Sequence, residues 1–157
     1  MTKIYIFKTK VDHYGFLTKL AAEKYNIDAL SLKFARNEHC KPYFESLPDF
    51  NFNISHSEDL TVIAVSDQNI GVDTEKLRKP DFRVAKRFCE DEYNYIDKSS
   101  SPTTFFEIWT KKEAYVKMMG GTMAKNGGID VSGEVSGAQF SFFDEDGHII
   151  TVCEALV

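Results

Sequence analysis

Residues 52–75 read FNISHSEDLTVIAVSDQNIGVDTE, and this run decides the fold. It holds three strand candidates, at 52–55, 60–66 and 69–75, with short polar turns between them. Upstream, residues 3–7 alternate as a short strand, and residues 14–25 place Leu17, Leu20, Ala21 and Tyr25 on one helical face. A further strand is predicted over 32–35, then a loop over 37–48 punctuated by Pro42 and Pro48. Downstream, residues 81–97 read as two short helices split near Cys89-Glu90, and 99–102 as a loop. Residues 103–119 form the longest helix, stopped by Gly120-Gly121. Residues 139–143 and 148–153 flank Asp144-Glu145-Asp146-Gly147, a hairpin signal. Helices mixed with mostly antiparallel strands predict an α+β fold.

The composition suits one globular domain. The chain has 157 residues, 43% hydrophobic and 27% charged, without repeats or low-complexity tracts. The net charge of −5 argues against a nucleic-acid partner, since such binders are normally basic. The apolar run at the N-terminus is too short for a secretory signal, and no stretch approaches a membrane span, so a cytoplasmic protein is expected. Cys40, Cys89 and Cys153 are odd in number and widely spaced, which predicts small free thiols rather than a disulfide framework.

Two segments carry chemistry. In a strand over 70–75, Ile70, Val72 and Thr74 share one face, and Asp73 and Glu75 the other. Two carboxylates on one face repel each other unless solvated or bridged by a cation, for which magnesium, a hard ion that prefers oxygen ligands, is the natural candidate. On a helical wheel of residues 103–119, Phe105, Phe106, Ile108, Trp109, Tyr115, Val116 and Met119 fill one broad arc. Lys112 and Glu113 fall inside it, and Lys117 sits at its border. Charges on a buried face are costly unless paired or bound. A site that receives a metal–phosphate group accounts for all three. His56, beside Ser55 and Ser57, reads either as an edge histidine or as an anion contact.

Four ordered motifs now stand together: Cys40-Lys41-Pro42, residues 52–57 (FNISHS), residues 70–75 (IGVDTE) and residues 109–117 (WTKKEAYVK). The chain resembles the 4′-phosphopantetheinyl transferases of the surfactin-synthetase-activating type. The resemblance runs over roughly residues 14–121, with a weaker hairpin match beyond. It implies two similar α/β half-repeats, about 1–68 and 69–157, packed face to face with a pseudo-two-fold relation and coenzyme A between them. It implies transfer of 4′-phosphopantetheine from coenzyme A to a serine of an apo acyl or peptidyl carrier protein, releasing adenosine 3′,5′-bisphosphate. By the same resemblance, Asp73, Glu75 and Glu113 hold magnesium, or manganese in its place. Ser55 and His56 contact the 3′-phosphate, Lys41 and Pro42 the adenine, and Lys112 and Lys117 phosphate oxygens. Glu113, Lys117 and Asp73 are the catalytic set, with Glu113 the base for the attacking serine. Lys19 and Arg36 are further basic candidates in the N-terminal half. Two positions depart from the family pattern: Cys40 replaces Gly, and Thr74 replaces Ile.

The resemblance also implies a monomer and an acidic carrier. Lys76, Arg78, Lys79, Arg83, Lys86 and Arg87 against Asp81 alone give residues 76–87 a net +5, leaving −10 for the rest. Arg83, Lys86 and Arg87 are expected on one helical face as the docking surface. Two other activities are compatible with the residues: a coenzyme A-binding protein that no longer catalyses, and a magnesium-dependent phosphohydrolase that uses water.

Overall fold

A computed structural model describes residues 1–99 and 101–156. The expected loop over 99–102 includes residue 100, which lies outside them, as does residue 157. The architecture is mixed α and β, as predicted.

The first sheet joins β1 (Lys3–Phe7), β4 (Asn51–Ser57) and β5 (Leu60–Ser66) in the order β1-β5-β4, all antiparallel. Helix α1 (His13–Tyr25) covers one face of it. Leu17 and Ala21 of α1 are buried in a cluster with Phe44, Phe50, Phe52, Ile63 and Val65, with Leu20 and Tyr25 packed at its edge. Asp12 caps α1 by accepting from Gly15 N at 3.0 Å.

β2 (Phe34–Arg36) and β3 (Pro42–Phe44) form a separate antiparallel hairpin, so the loop expected over 37–48 contains a strand. Its turn is closed by Asn37, whose Oδ1 accepts from His39 N and Lys41 N at 2.9 Å. Proline and asparagine read as loop signals, but three paired residues suffice for this strand.

The second sheet joins β6 (Ile70–Lys76), β7 (Ala138–Glu145) and β8 (His148–Ala155) in the order β6-β8-β7. A 3-10 turn (Phe82–Arg87), α2 (Glu90–Ser99), α3 (Pro102–Met119) and α4 (Met123–Asn126) lie between β6 and β7. The first of the two short helices expected over 81–97 is this 3-10 turn. α3 starts on Pro102 after the Ser101 cap and ends at Gly120, whose φ of +68° closes a Schellman motif with Gly121 N on Val116 O at 3.1 Å.

A central apolar cluster bonds the two sheets. Leu60, Val62 and Ala64 of β5 meet Ile70 and Val72 of β6 and Ile150 and Val152 of β8. The layers therefore run α1, first sheet, second sheet, α3. β5 is buried on both faces, because its alternate residues Ile63 and Val65 point to α1.

β6 turns its other face to α3. Gly71 permits the approach: a Cβ there would lie 2.0 Å from Ala114 O and 2.4 Å from Met118 N. α3 is packed on more than one side: Thr110, Ala114 and Met118 are buried along with Phe105, Phe106, Ile108 and Val116 of the predicted arc, while Trp109 and Tyr115 are partly buried. Met119, expected inside, is 52% exposed, and Met118 takes its place against the sheet.

Candidate functional site

β4 and β6 are edge strands of different sheets, yet they lie side by side in parallel. Asn53 Oδ1 accepts from Val72 N at 2.9 Å, Ser55 Oγ from Thr74 N at 3.2 Å, and Ser57 Oγ from Lys76 N at 2.9 Å. The constant offset of 19 residues makes this a ladder in which side-chain oxygens replace backbone carbonyls. It satisfies the N–H groups on the free edge of β6, which burial would otherwise leave unpaired. The alternating small polar residues of Asn53-Ile54-Ser55-His56-Ser57 were the signal for it.

The ladder aims β6 at α3. Lys117, in the last turn of α3, donates to Asp73 Oδ1 at 2.6 Å and to Val72 O and Ser55 Oγ at 3.2 Å. Ser55 in turn donates to Asp73 Oδ1 at 3.1 Å. Asp73 is almost wholly buried, and its second oxygen, Oδ2, has no partner among the described residues. Burial pushes the Asp73 carboxyl up to about 6; Lys117 opposes this, while the charges of Glu113 and Glu75 add to it. Glu113 is also raised, first by burial and then by Glu75, against the pull of Lys117 and Arg87. Glu75 is held by Arg78 at 3.1 Å.

The structure thus gathers Asp73, Glu75, Glu113 and Lys117 into one electrostatic neighbourhood where β6 meets α3. The three acids are not drawn tightly together. Among the described residues, the one group with three potential ligand atoms within 4.8 Å of one another is Glu58, Asp59 and His148. Both ring nitrogens of that His148 already face carbonyls, of Glu145 and Ser57, at 3.2 Å. The donor set of the β6–α3 acids still fits a hard cation. It consists of carboxylate oxygens, one of them buried and unpartnered, in a cluster whose mutual repulsion a cation would relieve.

His56 is exposed on the opposite side of β4 from Ser55, its ring centroid 5.6 Å from that of His13 at the start of α1. Its pKa is lowered by burial first, then by the charges of His13 and Lys117. His13 was not singled out in the sequence; only the approach of α1 to β4 reveals it.

Two expected contacts are corrected. Lys112 is not available to a phosphate. It is fully buried, donating to Glu92 Oε1 at 2.6 Å and to Ile129 O at 2.5 Å. Glu92 also accepts from Val131 N and Cys89 N, so this pair ties α2, α3 and the segment before β7 together. The wheel placed Lys112 on a buried face correctly, and burial demanded a partner; the partner is a carboxylate. The Ser55 side chain is likewise committed to Asp73, Lys117 and Thr74 N, so its hydroxyl is not free for a 3′-phosphate.

Lys41 and Pro42 stand apart from the acids. They line a cavity of about 380 Å³ with Phe44, Phe52, Asn69 and Met119, and none of Asp73, Glu75, Glu113, Ser55 or His56 borders it. Lys41 donates to Ile70 O at 2.9 Å and Met118 O at 3.2 Å, and burial lowers its pKa to about 8. Cys40, before it, adopts φ +63°, which explains the family's glycine. Thr74, in place of Ile, is buried with Oγ1 unpartnered among the described residues. Arg36 donates to Cys40 O at 2.8 Å and Tyr14 OH at 3.0 Å, while Lys19 is exposed. In the basic stretch, Arg83 is bound to Asp81 at 2.6 Å, whereas Lys86 and Arg87 are exposed.

Two family models match the chain. The model described as 4′-phosphopantetheinyl transferase superfamily covers residues 69–153, and that described as 4′-phosphopantetheinyl transferase, N-terminal, covers residues 11–68. Among curated relatives, the 4′-phosphopantetheinyl transferase gsp of Aneurinibacillus migulanus is 36% identical over 115 residues, covering 68% of this chain and 48% of that protein. The 4′-phosphopantetheinyl transferase Sfp of Bacillus subtilis (strain 168) is 35% identical over 103 residues, covering 63% and 46%. The L-aminoadipate-semialdehyde dehydrogenase-phosphopantetheinyl transferase of Rattus norvegicus is 33% identical over 122 residues, covering 66% and 40%. The matched part of the chain spans about half the length of these relatives or less.

Proposed function

The chain belongs to the 4′-phosphopantetheinyl transferase superfamily, and from this premise we propose that it transfers 4′-phosphopantetheine from coenzyme A to a serine of an apo acyl or peptidyl carrier protein. The observation that carries the reading is Asp73: a buried carboxylate with one oxygen on Lys117 and the other unpartnered among the described residues, within electrostatic reach of Glu75 and Glu113.

In this reading Asp73, Glu75 and Glu113 hold magnesium or manganese. When bound, the ion neutralises charge on the pyrophosphate of coenzyme A. Lys117, whose three N–H groups are spent on Asp73, Val72 O and Ser55, adds a second positive charge to the site and favours the ionised form of Asp73. Glu113 orients the carrier serine hydroxyl and takes its proton as the new P–O bond forms. The anhydride P–O bond breaks, and adenosine 3′,5′-bisphosphate leaves with the electron pair. Such a transfer depends on positioning and charge more than on covalent help. A base raised by burial, as Glu113 is, accepts a proton more readily than an exposed carboxylate. His56 contacts the 3′-phosphate, and the cavity beside Lys41 and Pro42 takes the adenine.

The reading includes two half-repeats, about 1–68 and 69–157. Support comes from the strand orders β1-β5-β4 and β6-β8-β7, each with the first strand at one edge and the last in the centre, and from family matches that divide between 68 and 69. It also includes a monomer, no nucleic-acid partner, no membrane and a cytoplasmic setting. Three free cysteines suit a reducing compartment. No helix among the described residues is long and apolar enough to cross a membrane. The carrier docks near Arg83, Lys86 and Arg87, supported by the exposure of all three.

The test is incubation with magnesium, coenzyme A and a panel of apo carrier proteins, read by intact mass. A phosphopantetheine adduct on at least one carrier is the expected result. No adduct on any carrier refutes the reading, and release of the bisphosphate without carrier selects a hydrolase instead.

A further inference from the structure

Of the four histidines only His148 is buried, at 1% exposure. Strand alternation puts it on the face of β8 that carries Ile150 and Val152, so it ends the apolar layer between the two sheets. An aliphatic residue there would extend that layer. The ring instead makes two polar contacts, both at 3.2 Å. Nδ1 faces Glu145 O at the end of β7, and Nε2 faces Ser57 O at the end of β4. A carbonyl only accepts, so at Nε2 the ring donates across the gap from the second sheet to the first. Ser57 is itself the last rung of the side-chain ladder, its Oγ accepting from Lys76 N at 2.9 Å. Lys76 is also the register partner of His148. One ring thus closes a circuit from β8 to β4 to β6, at the residue after Glu75.

We propose that His148 is a positioning residue: acting through Ser57, it fixes the end of β6 and with it Glu75 as a cation ligand. The inference rests on the transferase reading and adds to it a residue outside all four motifs. Asp73 needs no such support, since it is buried and held by Lys117 and Ser55. Glu75 stands next to last in β6, and its carboxylate is held by Arg78, an exposed side chain. An exposed pair of that kind orients a carboxylate only weakly. The direction of Glu75 is therefore set by the backbone on either side of it. Thr74 N is fixed by Ser55 Oγ and Lys76 N by Ser57 Oγ. Without the donor from His148, Ser57 loses its tie to the second sheet, and the rung beside Glu75 is free to shift. Magnesium demands near-ideal octahedral geometry, so a displaced ligand costs affinity.

The test measures Mn²⁺ binding in the presence of coenzyme A, by electron paramagnetic resonance of the free ion, for the wild type, His148→Gln and His148→Asn. The Gln amide nitrogen can take the place of Nε2 and keep the bond to Ser57 O. The shorter Asn amide reaches only the place of Nδ1. His148→Asn should weaken Mn²⁺ binding about tenfold, the low end for a group that orients a metal ligand from behind. Its KM for coenzyme A at saturating metal should stay at the wild-type value, and His148→Gln should bind Mn²⁺ nearly as tightly as the wild type. Ser57→Ala and Ser57→Thr repeat the comparison from the other end of the bridge, Thr keeping the hydroxyl, and carry the test if a His148 variant fails to fold. Equal losses in the paired variants, or no loss in either, overturn the role of His148 and leave the transferase reading intact. A Glu75→Gln variant that binds Mn²⁺ as tightly as the wild type overturns Glu75 as a ligand and the proposal with it.

Discussion

Single residues bear the clearest marks of constraint in this molecule. Cys40 holds φ +63° in a hairpin turn, a conformation that costs a residue with Cβ about 1–2 kcal/mol relative to glycine. Cys40→Gly should therefore raise stability by about 1 kcal/mol, read as a higher denaturant midpoint with unchanged slope. Lys41, its neighbour, is bonded to two carbonyls but faces no carboxylate among those bonds, and its pKa falls to about 8 from 10.5. Below pH 8 both folded and unfolded states hold the proton, and the cost of the buried charge is fully present. Between about 8 and 10.5 the unfolded state holds more protons, so stability rises with pH through that window. Chemical denaturation across the window should show a rise in the wild type that Lys41→Met lacks; parallel curves would refute it. At this scale the sequence was legible where strand alternation alone decides direction, as for Asp73 and Glu75. It was silent where a side chain needs a partner distant in sequence: nothing local to Ser55 says that its hydroxyl ends on Asp73, or to His13 that it meets His56.

Elements show why Lys112 and Lys117, five residues apart on α3, have different tasks. Lys117 emerges where α3 passes Asp73 and remains 29% exposed, whereas Lys112 faces α2 and is sealed. The helical wheel identified both as charges near an apolar face, but the wheel does not contain the neighbouring elements. Glu92 supplies the missing counter-charge, and it also reaches back to Cys89 N, the N-terminal bond of a capping box on α2. Breaking a buried pair strands one charge, so Lys112→Met should cost about 3–5 kcal/mol. The KM for coenzyme A should stay near the wild-type value wherever the variant is folded. A stable variant with a raised KM would return Lys112 to the phosphate site. The strands tell a similar story. Their existence and pairing type followed from alternation and turn residues. That β6 leaves β5 for another sheet, and meets β4 through Asn53, Ser55 and Ser57, depended on packing of the central cluster.

The whole molecule joins a negative average to a positive patch. The net charge of −5 coexists with +5 over residues 76–87, directly after the strand that carries Asp73 and Glu75. Part of that patch is internally neutralised, since Arg83 is held by Asp81 and Arg78 by Glu75. Lys86 and Arg87 remain exposed, which is why docking of an acidic carrier is proposed there. The double variant Arg83→Glu/Lys86→Glu should raise the KM for carrier several-fold, because charge reversal disfavours encounter with an acidic surface, and leave the KM for coenzyme A unchanged. An unchanged carrier KM would remove the patch from docking. The central claim is that the acids and the lysine where β6 meets α3 form the reaction centre. Its most direct test is the intact mass of an apo carrier after incubation with magnesium, coenzyme A and either wild type or Glu113→Gln. The account predicts a phosphopantetheine adduct with the wild type and none with the variant, although calorimetry shows that the variant still binds coenzyme A; an adduct formed equally by both would contradict it.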